Sequence, residues 1–238
     1  CFSGKGWHKS YRLKTWFASV VPVLLVVDDF LPVEMVGMLK TLCELHHALK
    51  QNADADALFS RYRADGSSHS SLHSEESKSL LEGYLNNYIR EVCSPSFVNL
   101  TFDKRCANPL NPGHSQYLYE WWCNTNNHLD WHIDKDEVGY RENGRYALPL
   151  LSTVFYPHVS CAGGELLVAD NPPMQAGQTG PPPRFRSVIS IPPAVNRLVV
   201  FSPGILHRIN QLEGERYSIA VNIWQSESLT TQDSAPPA

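Results

Sequence analysis

A chain of 238 residues, 42% hydrophobic and 18% charged, is long and apolar enough for one large folded domain and does not fit a disordered polypeptide. A net charge of −4 argues against general nucleic-acid binding, which needs clustered lysine and arginine. The six cysteines (Cys1, Cys43, Cys93, Cys106, Cys123 and Cys161) show no C-x-x-C spacing, so they indicate neither a zinc knuckle nor a redox pair and read mostly as buried free thiols.

The chain begins at Cys1 without a methionine and reads as a fragment or processed product, so any targeting peptide would lie upstream. Residues 1–15 are expected to be a poorly ordered terminus. The apolar run 16–27 follows Lys5, Lys9, Arg12 and Lys14, as an anchor would, but it is too short for the about 20 residues a bilayer demands. It also contains Pro22 and ends in Asp28-Asp29, which makes it a buried strand. Pro32 stands where a helix can start, and Val33, Val36, Leu39, Leu42, Cys43 and Leu45 recur at helical spacing. The polar, serine-rich stretch 51–71 reads as a surface loop. A second helix is predicted from Ser74, with a stripe through Leu80, Leu81, Tyr84, Leu85, Tyr88, Ile89 and Val92, ending at Ser94-Pro95. Both stripes suit packing against a sheet.

From Phe97 the chain turns β-rich. Candidate strands are 115–122, 129–134, 148–156, 164–169, 185–191, 197–201, 207–209 and 217–224, and the stretch 171–183, rich in Pro, Gly and Gln, reads as a loop. Helices over about 32–93 followed by strands over about 97–225 predict an α+β domain spanning 16–226, with 227–238 a flexible tail. Eight strands can close into a two-sheet jelly roll with the helices on one sheet.

His132 and Asp134 are the chemically most informative pair. On a strand, residues i and i+2 share a face, so an imidazole and a carboxylate would converge there, with Trp131 and Ile133 on the other face. His128 and Asp130 form a second His-x-Asp just before, and spacing alone leaves both pairs open. His207 follows much later, after the β-like run 196–201, with Gly163-Gly164-Glu165-Leu166 between. A jelly roll could bring such distant positions together from facing sheets. Arg216 opens an alternating strand, with Ser218, Ala220 and Asn222 on its own face and Tyr217, Ile219, Val221 and Ile223 on the other. A hairpin turn at 211–215 would set His207 and Arg216 side by side. Two histidines and one carboxylate with open positions are the ligand set of non-haem Fe(II) oxygenases.

The order His-x-Asp, Gly-Gly-Glu-Leu, His, Arg-Tyr-Ser resembles the 2-oxoglutarate- and Fe(II)-dependent dioxygenases, most of all the prolyl 4-hydroxylase-like group, from about Val23 to Trp224. The resemblance implies a double-stranded β-helix (jelly roll) entered through Asp28-Asp-Phe-Leu-Pro32. It implies Fe(II) on His132, Asp134 and His207, with 2-oxoglutarate and O₂ as cosubstrates and ascorbate as an admitted further cofactor. Leu129, three before His132, fits the family's apolar position and favours His132/Asp134 over His128/Asp130. Arg216 would take the distal carboxylate of 2-oxoglutarate through its planar fork, with Tyr156 or Ser218 as hydroxyl donors. The family's tyrosine about ten residues before the ligand histidine falls on Trp122, or on Tyr119 if a short insertion follows. Many collagen-type prolyl hydroxylases carry Lys where Arg216 stands, which points toward other branches. Asp134 favours hydroxylation over halogenation, and the absence of Arg or Lys after Arg216 argues against the nucleic-acid demethylases.

The expected reaction is hydroxylation of an unactivated C–H bond, of peptidyl proline or a related amino-acid side chain, with segments 97–127 and 171–186 touching substrate. A free amino acid or small metabolite as substrate, a non-catalytic binding module on the same fold, and a cupin-like Zn or Mn enzyme are the alternatives.

Overall fold

A computed structural model describes residues 9–12, 23–52, 60–63, 68–69, 117–125 and 129–225. In chain order its elements are β1 (Lys9–Arg12), β2 (Val23–Val27), α1 (Val33–Asn52), β3 (Ser60–Arg63), β4 (Ser68–His69), β5 (Tyr117–Thr125), β6 (Leu129–His132), α2 (Glu137–Asn143), β7 (Leu151–Gly163), β8 (Leu166–Ala169), β9 (Val188–Ile191), β10 (Arg197–Phe201), β11 (His207–Ile209) and β12 (Leu212–Gln225). The strands form two antiparallel sheets, one ordered β1-β2-β10-β7-β12-β5-β3-β4 and the other β6-β11-β8-β9. Among the described residues no helix is long and apolar enough to cross a membrane.

The strands of the larger sheet show why the sequence alternates as it does. Leu198 and Val200 of β10, Leu25 and Val27 of β2, and Ile219, Val221 and Ile223 of β12 pack with Val36, Leu39, Leu42 and Cys43 of α1. The intervening residues Val199, Phe201, Leu24 and Val26 turn the other way, onto Leu166, Val168, Ile191 and Ile209 of the smaller sheet. Strands β2 and β10 are thus covered on both faces, which is why 23–27 and 198–201 each read as an unbroken apolar run. A third cluster, Ile133, Tyr146 and Met174, lies under the loop after β8.

Each of the eight expected strands has a counterpart; 197–201 and 207–209 keep their bounds, and the other six have shifted ends. The smaller sheet's β6 stops at His132 and not at Asp134, and β9 begins at Val188 and not at Phe185. The expected hairpin turn at 211–215 is absent: β12 already begins at Leu212 and pairs with the far end of β7, Leu212 opposite Gly163. Other corrections concern polar stretches. Lys9–Arg12, expected in a disordered terminus, pair with β2. The expected loop 51–71 holds the last two residues of α1 and the strands β3 and β4, which extend the sheet beyond β5. Such edge strands join through main-chain hydrogen bonds and carry no apolar alternation to betray them. Val33 and Leu45, counted in the helical stripe, are 80% and 43% exposed and stand off it. The second predicted helix from Ser74 lies outside the described residues. Cys43, Cys123 and Cys161 are free thiols, the first two buried and 3.5 Å apart between α1 and β5.

Candidate metal and cosubstrate site

His132 ends β6 and His207 opens β11, and the two are directly opposed in register on neighbouring strands. This corrects the expectation of facing sheets: the histidines are cross-strand partners in one sheet, with ring centroids 4.2 Å apart. Asp134 reaches them from beyond the end of β6. Its Oδ1 is 4.0 Å from His132 Nε2 and 3.7 Å from His207 Nε2. One ligand atom from each of the three lies within 4.8 Å of the others, an arrangement that could hold a metal ion. Asp130 takes no part in this cluster; it is exposed and accepts from Trp131 N. His128 lies outside the described residues.

Both imidazoles are aimed by the same device. His132 Nδ1 lies 2.7 Å from the Asp130 carbonyl and His207 Nδ1 3.0 Å from the Ile205 carbonyl. A carbonyl only accepts, so each Nδ1 carries the proton, and in the neutral ring Nε2 keeps its lone pair, turned toward Asp134. Burial pushes the His207 pKa down to about 4, against the pull of the Asp134 carboxylate and with help from His132. His207 is therefore neutral at pH 7, the state that a metal ligand needs. The donor set of two imidazoles and a carboxylate fits Fe(II).

Arg216 lies on β12, and its side chain enters the same partly open cleft, of about 470 Å³, as the three ligand candidates. It is only 1% exposed, and Nη1 donates to the Gly164 carbonyl at 2.9 Å. Burial lowers its pKa, countered by Tyr156 and Cys161. Ser218 and Ala220 follow on the same face of the strand and also line the cleft, whereas Tyr217 and Ile219 join the α1-side core, as the alternation predicts. The pair Gly163-Gly164 is explained by close approach. Both have positive φ, 77° and 74°. A Cβ on Gly163 would stand 2.4 Å from the Gln211 carbonyl oxygen, and one on Gly164 would press on Arg216 Nη1 at 3.3 Å.

Tyr156 is fully buried, with Arg216 6.0 Å from its ring centroid. Its hydroxyl finds no hydrogen-bond partner among the described residues, and burial pushes its pKa up to about 12 in spite of Arg216 and Arg197. A buried, unsatisfied hydroxyl costs about 1–3 kcal/mol, so a polar ligand that bonded it would bring a gain. Tyr119 lies in β5 opposite Ile223, and its side chain is outside the described residues; Trp122, the other candidate for that place, lines the cleft. Sequence reasoning missed Asn124 and Thr153, which line the cleft as well. The alternation of β5, with Trp121 and Cys123 in the α1-side core, was the signal available for Asn124.

Comparison with known proteins follows the same line. Residues 115–224 match the family model described as 2OG-Fe(II) oxygenase superfamily. No curated protein matches the chain. Among solved structures, a Pseudomonas putida prolyl-4-hydroxylase aligns at 16% identity with a TM-score of 0.46, over 84% of this chain and 91% of that one. A Burkholderia pseudomallei oxidoreductase of the 2OG-Fe(II) oxygenase family aligns at 12% identity and 0.45, over 85% and 84%. A Trichoplax adhaerens prolyl hydroxylase, solved with a hypoxia inducible factor peptide fragment, aligns at 15% identity and 0.44, over 86% and 84%. At these values none bears on substrate. The family match takes in His132, Asp134, His207 and Arg216, so the part of the chain that carries the candidate site is similar to the 2OG-Fe(II) oxygenase superfamily.

Proposed function

We propose that His132, Asp134 and His207 hold Fe(II), and that Arg216, with Tyr156 and Ser218, holds 2-oxoglutarate. The substrate proposed is peptidyl proline or a related amino-acid side chain, hydroxylated at an unactivated C–H bond. The observation that supports this most is the shared cleft: three ligand atoms converge within 4.8 Å, and a buried arginine enters the same space. When bound, iron and 2-oxoglutarate supply the oxidising chemistry with O₂.

The chain's own residues bind, orient and exclude water. The two imidazoles offer Nε2 lone pairs, and Asp134 adds the negative charge that offsets part of the cation's. Arg216 offers a charged, planar fork whose position is set by the Gly164 carbonyl, and a carboxylate can pair with such a fork through two parallel hydrogen bonds. The Tyr156 and Ser218 hydroxyls can donate to the same carboxylate. Val154, Leu166, Phe201 and Ile209 form an apolar wall on the cleft and keep bulk water from the reacting atoms. Arg216 in place of Lys also supports a branch other than the collagen-type prolyl hydroxylases.

The test is succinate release from 2-oxoglutarate, with and without ascorbate, across proline-containing peptides, other peptides and free amino acids. Release stimulated by a proline peptide, with hydroxyproline in the product, supports the reading. Release stimulated only by a free amino acid moves the substrate to a small metabolite. No release with any substrate contradicts the enzymatic reading.

A further inference from the structure

We propose that Asn171 is a positioning residue for His207, acting through the turn that delivers this histidine to the metal site. The proposal rests on the reading of His207 as an iron ligand. Between β10 in one sheet and β11 in the other the chain has only residues 202–206 with which to cross. Side-chain bonds to this turn come from the loop after β8.

The Asn171 side chain, 1% exposed, accepts from Leu206 N at 2.9 Å and donates to the carbonyls of Gly204, at 3.4 Å, and Pro172, at 2.9 Å. It therefore grips the turn on both sides of Ile205, the residue whose carbonyl receives His207 Nδ1. Main-chain bonds flank the grip, Met174 N to Gly204 O and Ala169 N to Leu206 O, both 2.9 Å. The fit is close enough to require glycine at 204, where φ is 75° and a Cβ would stand 2.4 Å from the Met174 carbonyl oxygen. A carboxamide is the one short side chain that carries an acceptor oxygen and a two-proton donor nitrogen on one carbon, as these three bonds demand. The chain of contacts runs from Asn171 to the Ile205 carbonyl, then to Nδ1, and so sets where Nε2 points.

The test compares Asn171→Ala and the isosteric Asn171→Asp, which keeps an acceptor and loses the donors, with Asn196→Gly. Asn196 is another buried asparagine, bonded both ways to Leu31 at 2.9 and 2.8 Å near α1, and its replacement by glycine destabilises without touching the turn. Two readouts are taken: amide hydrogen exchange of the peptide over 204–207 in metal-free protein, and Co(II) affinity with its visible ligand-field band. Asn171→Ala, which removes the acceptor, should exchange faster at Leu206, and both Asn171 variants should bind Co(II) on the order of tenfold more weakly with an altered band, the scale seen when partners behind a ligand are removed. Asn196→Gly should lower the melting temperature and leave both readouts as in the parent. The proposal is overturned if the Asn171 variants match the parent in affinity and band, or if Asn196→Gly weakens Co(II) binding equally. A parent that binds no Co(II) overturns the metal-centre reading itself, and this proposal with it.

Discussion

A buried guanidinium needs compensation, and Arg216 receives part of it from the Gly164 carbonyl. Its planar fork, which enters the cleft, is the feature on which cosubstrate recognition is proposed to rest. Arg216→Ala should raise the Kd for 2-oxoglutarate by roughly 10- to 100-fold, the equivalent of about 1.5–3 kcal/mol for a charged hydrogen bond, with Fe(II) affinity retained. Arg216→Lys should fall between, since an ammonium is a point charge without the fork. Calorimetric titration under anaerobic conditions measures both constants; loss of iron with unchanged 2-oxoglutarate affinity would refute the assignment. Much of this was legible in the sequence, because Arg216, Ser218 and Ala220 alternate with large apolar residues that had to face a core. The route of Asp134 was not: the strand argument placed it on β6, whereas the strand ends at His132 and the bend beyond carries the carboxylate back to the rings. The hydrogen bonds that aim the two imidazoles also escaped, because a backbone carbonyl has no letter in the sequence.

The short helix α2 shows what a site needs from its neighbouring elements. It begins three residues after Asp134, and its N-cap Asp136 accepts from the amides of Val138 and Gly139, both at 3.1 Å. Its far end closes on Gly144, at φ 69°, whose N–H bonds to Tyr140 O. Asp136→Ala should cost about 1 kcal/mol, within roughly 0.5–2, in a urea unfolding titration. No change in stability would mean that the cap is without weight. Both signals, an Asp before the helix and a Gly after it, stand in the sequence, but seven residues with one buried position make no apolar stripe to draw attention to them. The same blindness explains β12. Its first residues, Leu212-Glu-Gly-Glu215, look like a turn, yet they pair with the protruding end of β7, where Gly214 at φ 108° passes so close that a Cβ would lie 2.4 Å from the Ser160 carbonyl oxygen. In α1 the stripe was readable because it is buried: Leu39, 0% exposed, should cost about 2–5 kcal/mol when cut to Ala, and a cost below 1 kcal/mol would contradict its place in the core.

Across the whole molecule, two stacked sheets with α1 on the larger one place the apolar faces where their periodicity requires. The sheet to which each strand belongs was beyond the reach of periodicity, so His132 and His207 were expected in facing sheets and are instead neighbours in one. The packing has a pH signature. Burial, the largest cause at each, pushes the phenols of Tyr146, Tyr156 and Tyr217 from 10.0 to about 12, with the Tyr140 hydroxyl adding to the shift at Tyr146 and Glu215 at Tyr217. A raised folded-state pKa favours the protonated form, so this contribution to stability is complete below pH 10 and is lost as pH climbs toward about 12. Unfolding midpoints measured across that window should fall while the tyrosinate absorbance of these groups lags behind that of exposed tyrosines. Full titration near pH 10 with the fold intact would contradict the burial of these phenols.

The most direct measurement of the central claim is anaerobic titration of the protein with Fe(II) and then 2-oxoglutarate, monitored for the visible charge-transfer band of the chelated pair. The parent protein should develop the band, and His207→Ala and Asp134→Ala should not. A parent without the band, or variants that retain it, would mean that the three side chains gathered between β6 and β11 do not hold the iron.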